Sequence, residues 1–130
     1  MYISNTLSRY IELAINMANQ SDYKTFRHGA VLVKSGRILN CSYNKKDYNS
    51  LAAKFKLEPK FASLHAEIGT ILGMSKQITN NGTIVVVRID KNNKLKLSKP
   101  CNMCARCLKF VGIKKVFFSI DDDNFGEILL

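Results

Sequence analysis

The chain has 130 residues, 46% of them hydrophobic and 23% charged, which fits one ordered domain spanning 1–130, with no disordered tail expected. No run approaches the roughly 18 apolar residues of a membrane span, so no membrane partner is expected. The formal net charge is +10 and uneven: lysines and arginines crowd between Arg88 and Lys115, and the end turns acidic at Asp121, Asp122, Asp123 and Glu127. Such a basic stretch attracts phosphate or serves simply as a lysine-rich solubilising surface. The opening Met1-Tyr2-Ile3-Ser4-Asn5 lacks the basic stretch and apolar core of a secretion signal. Three of the four cysteines (Cys41, Cys101, Cys104, Cys107) share one short segment, which suits metal or redox chemistry better than a disulfide framework. A reducing, cytoplasmic location is the expectation.

In chain order, Leu7, Tyr10, Ile11, Ala14, Met17 and Ala18 recur at helical spacing and predict an amphipathic helix over about 6–20. Ala30–Val33 and Ile38–Cys41 flank Ser35-Gly36, a hairpin signal in which glycine supplies the positive φ of a tight turn. Residues 44–62 are polar and aperiodic and read as a long connection, with a helical turn near 51–55. Ser63 is the expected N-cap of a helix over 64–74. Ile84–Val87 reads as a buried central strand, and Pro100 as the start of a helix that stops near Gly112. Val116–Ile120 is the next strand. Only Asp121–Phe125 then separates it from Gly126–Leu130, too short for a parallel crossover, so a final strand should be antiparallel; a frayed tail is the alternative. The alternation implies a mixed sheet with helices on its faces.

Two segments carry chemistry: His65-Ala66-Glu67 and Pro100-Cys101-Asn102-Met103-Cys104. One imidazole and two thiolates suit a zinc ion with its fourth position open to water, and Glu67 remains as a proton carrier for hydrolysis. Cys101 and Cys104 open a helix, where free N–H groups favour thiolates. Residues two apart in a helix diverge by about 200°, so His65 and Glu67 share a site only if the metal sits off the helix's N-terminal end. Cys107 lies about 9 Å along a continuous helix from Cys101, too far to share one ion, and is expected to be a packed helix residue. If it did coordinate, the shell would close and the zinc would be structural. Cys41 is expected to be a small core residue. A redox Cys-x-x-Cys is the competing reading, but the chain has no tryptophan, no proline downstream, and no task in that reading for His65 and Glu67.

On these residues, and from about Gly29 through Ile120, the sequence resembles the cytidine/deoxycytidylate deaminase superfamily. The resemblance implies an α/β protein with a three-layer α/β/α fold, a mixed five-stranded sheet and helices on both faces. It implies one Zn2+ per chain held by His65, Cys101 and Cys104, with Glu67 as catalytic proton shuttle. Asn44, in Ser42-Tyr43-Asn44, matches the asparagine that contacts the substrate sugar, although the family's preceding glycine is absent here. The backbone at Ala66 matches a position that binds the edge of the base. The implied reaction converts cytosine to uracil by water attack at C4.

A histidine first ligand resembles the deoxycytidylate and nucleic-acid-editing branches, whereas the short end resembles the free-nucleoside branch. A free pyrimidine nucleoside or nucleotide is the expected partner, since no aromatic-rich basic strand offers a stacking platform for nucleic acid. Deamination of single-stranded nucleic acid or tRNA is the alternative, and a non-catalytic zinc module a further one. Tyr43, Tyr48, Phe55 and Phe61 could stack one base or pack in the core. Arg27 and His28 are expected to solvate a loop. A homo-oligomer is expected by resemblance.

Overall fold

The computed structural model describes residues 3–46 and 64–130. The predicted turn near 51–55, the N-cap Ser63 and the aromatics Tyr48, Phe55 and Phe61 lie outside the described residues.

Helix α1 (Asn5–Ala18) starts at Ser4, whose Oγ accepts the Leu7 N–H at 3.1 Å, and buries Ile11, Ala14 and Ala18. Strands β1 (Arg27–Lys34) and β2 (Arg37–Tyr43) form the expected hairpin. Both turn residues, Ser35 (φ 52°) and Gly36 (φ 76°), are left-handed, as a two-residue turn matched to strand twist demands. Val33 pairs with Ile38 but Leu32 pairs with Asn40, so Leu39 is an extra residue in β2.

Helix α2 (Ala66–Ile71) is shorter than predicted, and its N-cap is His65, not Ser63. Leu64 and Lys45 exchange two backbone hydrogen bonds (2.9 and 3.0 Å), which holds Leu64 extended and forbids an earlier helical start. At the other end Leu72 is extended and Gly73 (φ 75°) turns the chain away. A one-turn helix α3 (Lys76–Thr79), unforeseen, leads into β3 (Thr83–Ile89). The lysine-rich loop holds a two-residue strand β4 (Leu95–Lys96), also unforeseen, against β3. Helix α4 (Asn102–Phe110) is capped by Cys101, so Pro100 precedes the helix rather than opening it, and left-handed Gly112 (φ 86°) follows. β5 (Lys115–Ser119) and β6 (Phe125–Leu129) complete the sheet.

The strand order is β2-β1-β3-β5-β6, with β4 joining β3 as a sixth strand beside the expected five. β3 and β5 are parallel through the α4 crossover, and every other pair is antiparallel, including the anticipated β5–β6 pair. Alternate residues divide the core into two layers. Val31, Val33, Val85, Val87, Ile89 and Phe117 pack under α1. Ala30, Leu32, Ile84, Val86, Val116 and Phe118 face Ala66 of α2 and Leu108 of α4. Helix α1 sits so close to β1 that a Cβ at Gly29 would collide with the Ala14 carbonyl oxygen. A Cβ at Gly69 would likewise strike the Ser42 side chain, which seats α2 on β2.

Candidate active site

Two helix N-termini meet on the second layer. His65 precedes α2 in an extended conformation (φ −80°, ψ 143°) and Cys101 precedes α4 (φ −68°, ψ 166°), so both side chains project off helix ends. Cys104 follows in the first turn of α4, fully buried. His65 Nδ1 lies 3.1 Å from Cys104 Sγ, and one donor atom from each of the three residues falls within 4.8 Å of the others. A tetrahedral zinc with bonds of about 2.0–2.3 Å separates its donors by about 3.3–3.8 Å, so this set fits one ion. Cys107 is not among the three, and it is exposed rather than packed as expected, because α4 buries only its Cys104 and Leu108 side.

The electrostatics also ask for a cation. Burial, reinforced by the neighbouring Glu67 carboxylate, pushes the Cys104 thiol well above its ordinary range. The favourable field expected at the helix start is therefore outweighed at Cys104. A bound cation reverses that balance and holds the sulfur as thiolate.

Glu67 is 5% exposed and sits in the first turn of α2. Burial raises its carboxyl above the usual range, opposed by its own backbone N–H and by His65. A carboxyl group so placed is suited to carry a proton between reacting atoms. Ala66 is the first residue of α2, and its N–H has no partner within the helix.

These residues open onto a cavity of about 290 Å³ lined by His65, Ala66, Glu67, Cys101 and Asn44. Tyr23, Phe26, His28, Leu64 and Lys99 complete the lining. The Asn44 amide is largely engaged: its Oδ1 accepts the His28 N–H (2.8 Å) and its Nδ2 donates to the Phe26 carbonyl (2.7 Å). One amide hydrogen and one lone pair are left to face the cavity.

Sequence reasoning missed Phe26 and Lys99 and gave His28 only a solvation role. His28 lines the cavity instead, and burial holds its pKa at about 4. The signal was strand parity: His28 shares its face with Ala30 and Leu32 of the second layer. Arg27, on the opposite face, donates to the Asn19 and Asn93 side chains and the Asp90 carbonyl, a structural clasp. Tyr43 is not a lining residue; Lys45 lies 4.9 Å from its ring centroid. Cys41 packs at the edge of the α1 layer, as expected.

A buried serine pair mounts the second half of the site. Ser98 Oγ and Ser119 Oγ lie 2.8 Å apart; Ser98 Oγ also donates to the Val86 carbonyl (3.0 Å), and Ser119 Oγ to the Lys96 carbonyl (2.7 Å). These bonds tie the strap before Lys99 and Cys101 to the ends of β3 and β5.

Three donors, a buried carboxyl and a cavity define a zinc-dependent hydrolytic site. Residues 4–120 match the cytidine and deoxycytidylate deaminase zinc-binding region, and the chain belongs to that family of hydrolytic deaminases. Solved structures share the fold. A cytidine deaminase from Burkholderia pseudomallei superposes with a TM-score of 0.66 at 17% identity, over 98% of this chain and 93% of that one. The apo dCMP deaminase of cyanophage S-TIM5 gives 0.63 at 18% identity, over 89% and 84%. A transfer-RNA wobble-position A-to-I deaminase gives 0.53 at 22% identity, over 85% and 74%. No curated protein shows a significant match to the chain.

Proposed function

We propose that this chain, as one domain over 1–130, deaminates a cytosine base to uracil in a free nucleoside or nucleotide. The observation that carries the reading is Glu67, buried and two positions from His65, on the cavity that His65 and Cys101 of the donor set also line. His65, Cys101 and Cys104 would hold the ion, which supplies Lewis acidity and makes water a competent nucleophile near pH 7.

The remaining work falls to the chain. Glu67 accepts a proton from the attacking water as the C4–O bond forms, and passes it to the ring nitrogen. It then takes the second proton and delivers it to the exocyclic amine, so that the C4–N bond breaks with ammonia as leaving group. The Ala66 N–H meets the edge of the base, and the residual capacity of the Asn44 amide meets the sugar.

The chain acts, in this reading, as a cytoplasmic homo-oligomer of pyrimidine metabolism. The net charge of +10 favours a second reading, deamination within single-stranded nucleic acid or tRNA. The test is ammonia release by zinc-loaded protein from cytidine, deoxycytidine, dCMP, adenosine, guanine and a cytosine oligonucleotide. Product from a free cytosine compound supports the main reading and product from the oligonucleotide alone supports the second. Retained zinc with no product supports a non-catalytic module.

A further inference from the structure

Beside the metal donors, the cavity lining and the residues next to it carry cations that pair with no carboxylate among the described residues. Arg88 faces His28 across the β1–β3 pair, and His28 lines the cavity, so Arg88 begins about 5 Å from its wall. Its guanidinium carbon lies 4.3 Å from the ring centroid of Phe26, itself a lining residue and 54% exposed. The side chain therefore ends over an aromatic ring of the lining. Arg88 Nε is buried and has no acceptor among the described residues, and the Leu97 carbonyl meets Nη1 only at 3.5 Å.

Lys99 lines the same cavity and is exposed, and neither it nor Arg88 pairs with a carboxylate among the described residues. Among the described residues of the lining, Glu67 is the single carboxylate. The cavity thus combines an acid and a metal site with a lysine on its lining and a guanidinium over one of its aromatic walls. A guanidinium fork matches phosphate oxygens in geometry and charge.

We propose that Arg88, held on Phe26, and Lys99 receive a substrate phosphate, so that the preferred substrate is a free nucleoside monophosphate rather than a nucleoside. The inference rests on the cytosine-deaminase reading and names the group that reading leaves open. A phosphodiester within a polynucleotide presents the same chemistry, so the test carries an arm for it.

Two measurements on zinc-loaded protein decide the matter. The first is the ratio of kcat/KM for dCMP to that for deoxycytidine. It should favour dCMP by at least about tenfold, and Lys99→Gln and Arg88→Met should each reduce it by about tenfold or more, the weight of a charged hydrogen bond. Lys99 is exposed, so its substitution leaves folding out of the question. The second is calorimetric binding of dUMP against deoxyuridine, which needs no turnover. Tighter dUMP binding that Lys99→Gln abolishes supports the phosphate site even if no substrate is deaminated, in which case the deaminase reading alone falls. Equal binding of dUMP and deoxyuridine overturns the phosphate site whether or not turnover occurs. A cytosine oligonucleotide turned over in preference to dCMP overturns the choice of a free nucleotide.

Discussion

Asn44 and His28 are joined twice: the His28 N–H donates to Asn44 Oδ1 at 2.8 Å, and the Asn44 N–H donates to the His28 carbonyl at 3.2 Å. The side chain that resemblance assigns to the sugar is thus also the clasp that closes β1 against the end of β2. Asn44→Ala should therefore lower stability by about 1–3 kcal/mol, because it strands the part-buried His28 N–H of β1 and the Phe26 carbonyl just before it. Urea unfolding measures this. An unchanged midpoint would show that the amide serves substrate alone.

Glu67 and Cys104 should separate cleanly. Glu67→Gln keeps the three donors and should keep zinc, while turnover falls by at least about 100-fold, the usual weight of a general acid–base group. Cys104→Ala should lower zinc content, whereas Cys107→Ala, at an exposed position outside the donor set, should leave it unchanged. Elemental analysis beside an ammonia assay reads all three. Zinc loss in Cys107→Ala to the level of Cys104→Ala would refute the three-donor site.

The serine pair gives a third expectation. Ser98→Ala removes a hydroxyl that is 2% exposed and that bridges Val86, Ser119 and the strap. A loss of about 1–3 kcal/mol follows from the unpaired groups left behind. Zinc affinity should fall with it, since Cys101 is mounted three residues further along. Competition with a chelator gives the affinity, and full affinity in the variant would make the strap self-supporting.

His28 sets a pH dependence. Burial holds its folded pKa at about 4, against an ordinary value of 6.5; the Phe26 carbonyl opposes the shift, and Arg88 and His65 add to it. Between those values the unfolded chain binds a proton that the folded chain does not, so stability falls as pH drops from 6.5 towards 4. His28→Gln should flatten this slope, read as urea midpoints across that window in both proteins. Parallel slopes would remove His28 as its source.

Much of this architecture is legible in the residues because one periodicity at a time governs them. The Leu7–Ala18 stripe yields α1, and the run at Ile84–Val87 yields the central strand, since burial on both faces leaves no polar alternation. The short span Asp121–Phe125 forces β6 to run antiparallel. What escaped was tertiary. Ser63 has better capping chemistry than His65, but the bridge between Leu64 and Lys45 decides where α2 begins. β4 exists because Asp122 Oδ1 accepts the Leu95 N–H at 2.7 Å and β3 offers an edge, neither of which a lysine-rich segment announces. Within the site, the donors and Glu67 are fixed by spacing, whereas Phe26, His28 and Lys99 are brought together only by the tertiary fold.

The extra residue Leu39 has a consequence for the whole site. Side chains alternate along a strand, so the parity of residues between the Ser35-Gly36 turn and the cavity determines which layer each one enters. Leu39 and Asn40 both face the α2 layer, and from there Ser42 and Asn44 follow on that side, with Cys41 and Tyr43 on the other. Deleting this single residue would leave the turn and both strands formed while sending Asn44 under α1, away from Glu67. The hairpin therefore keeps count for the cavity, and a change of one residue in its length is a change of face.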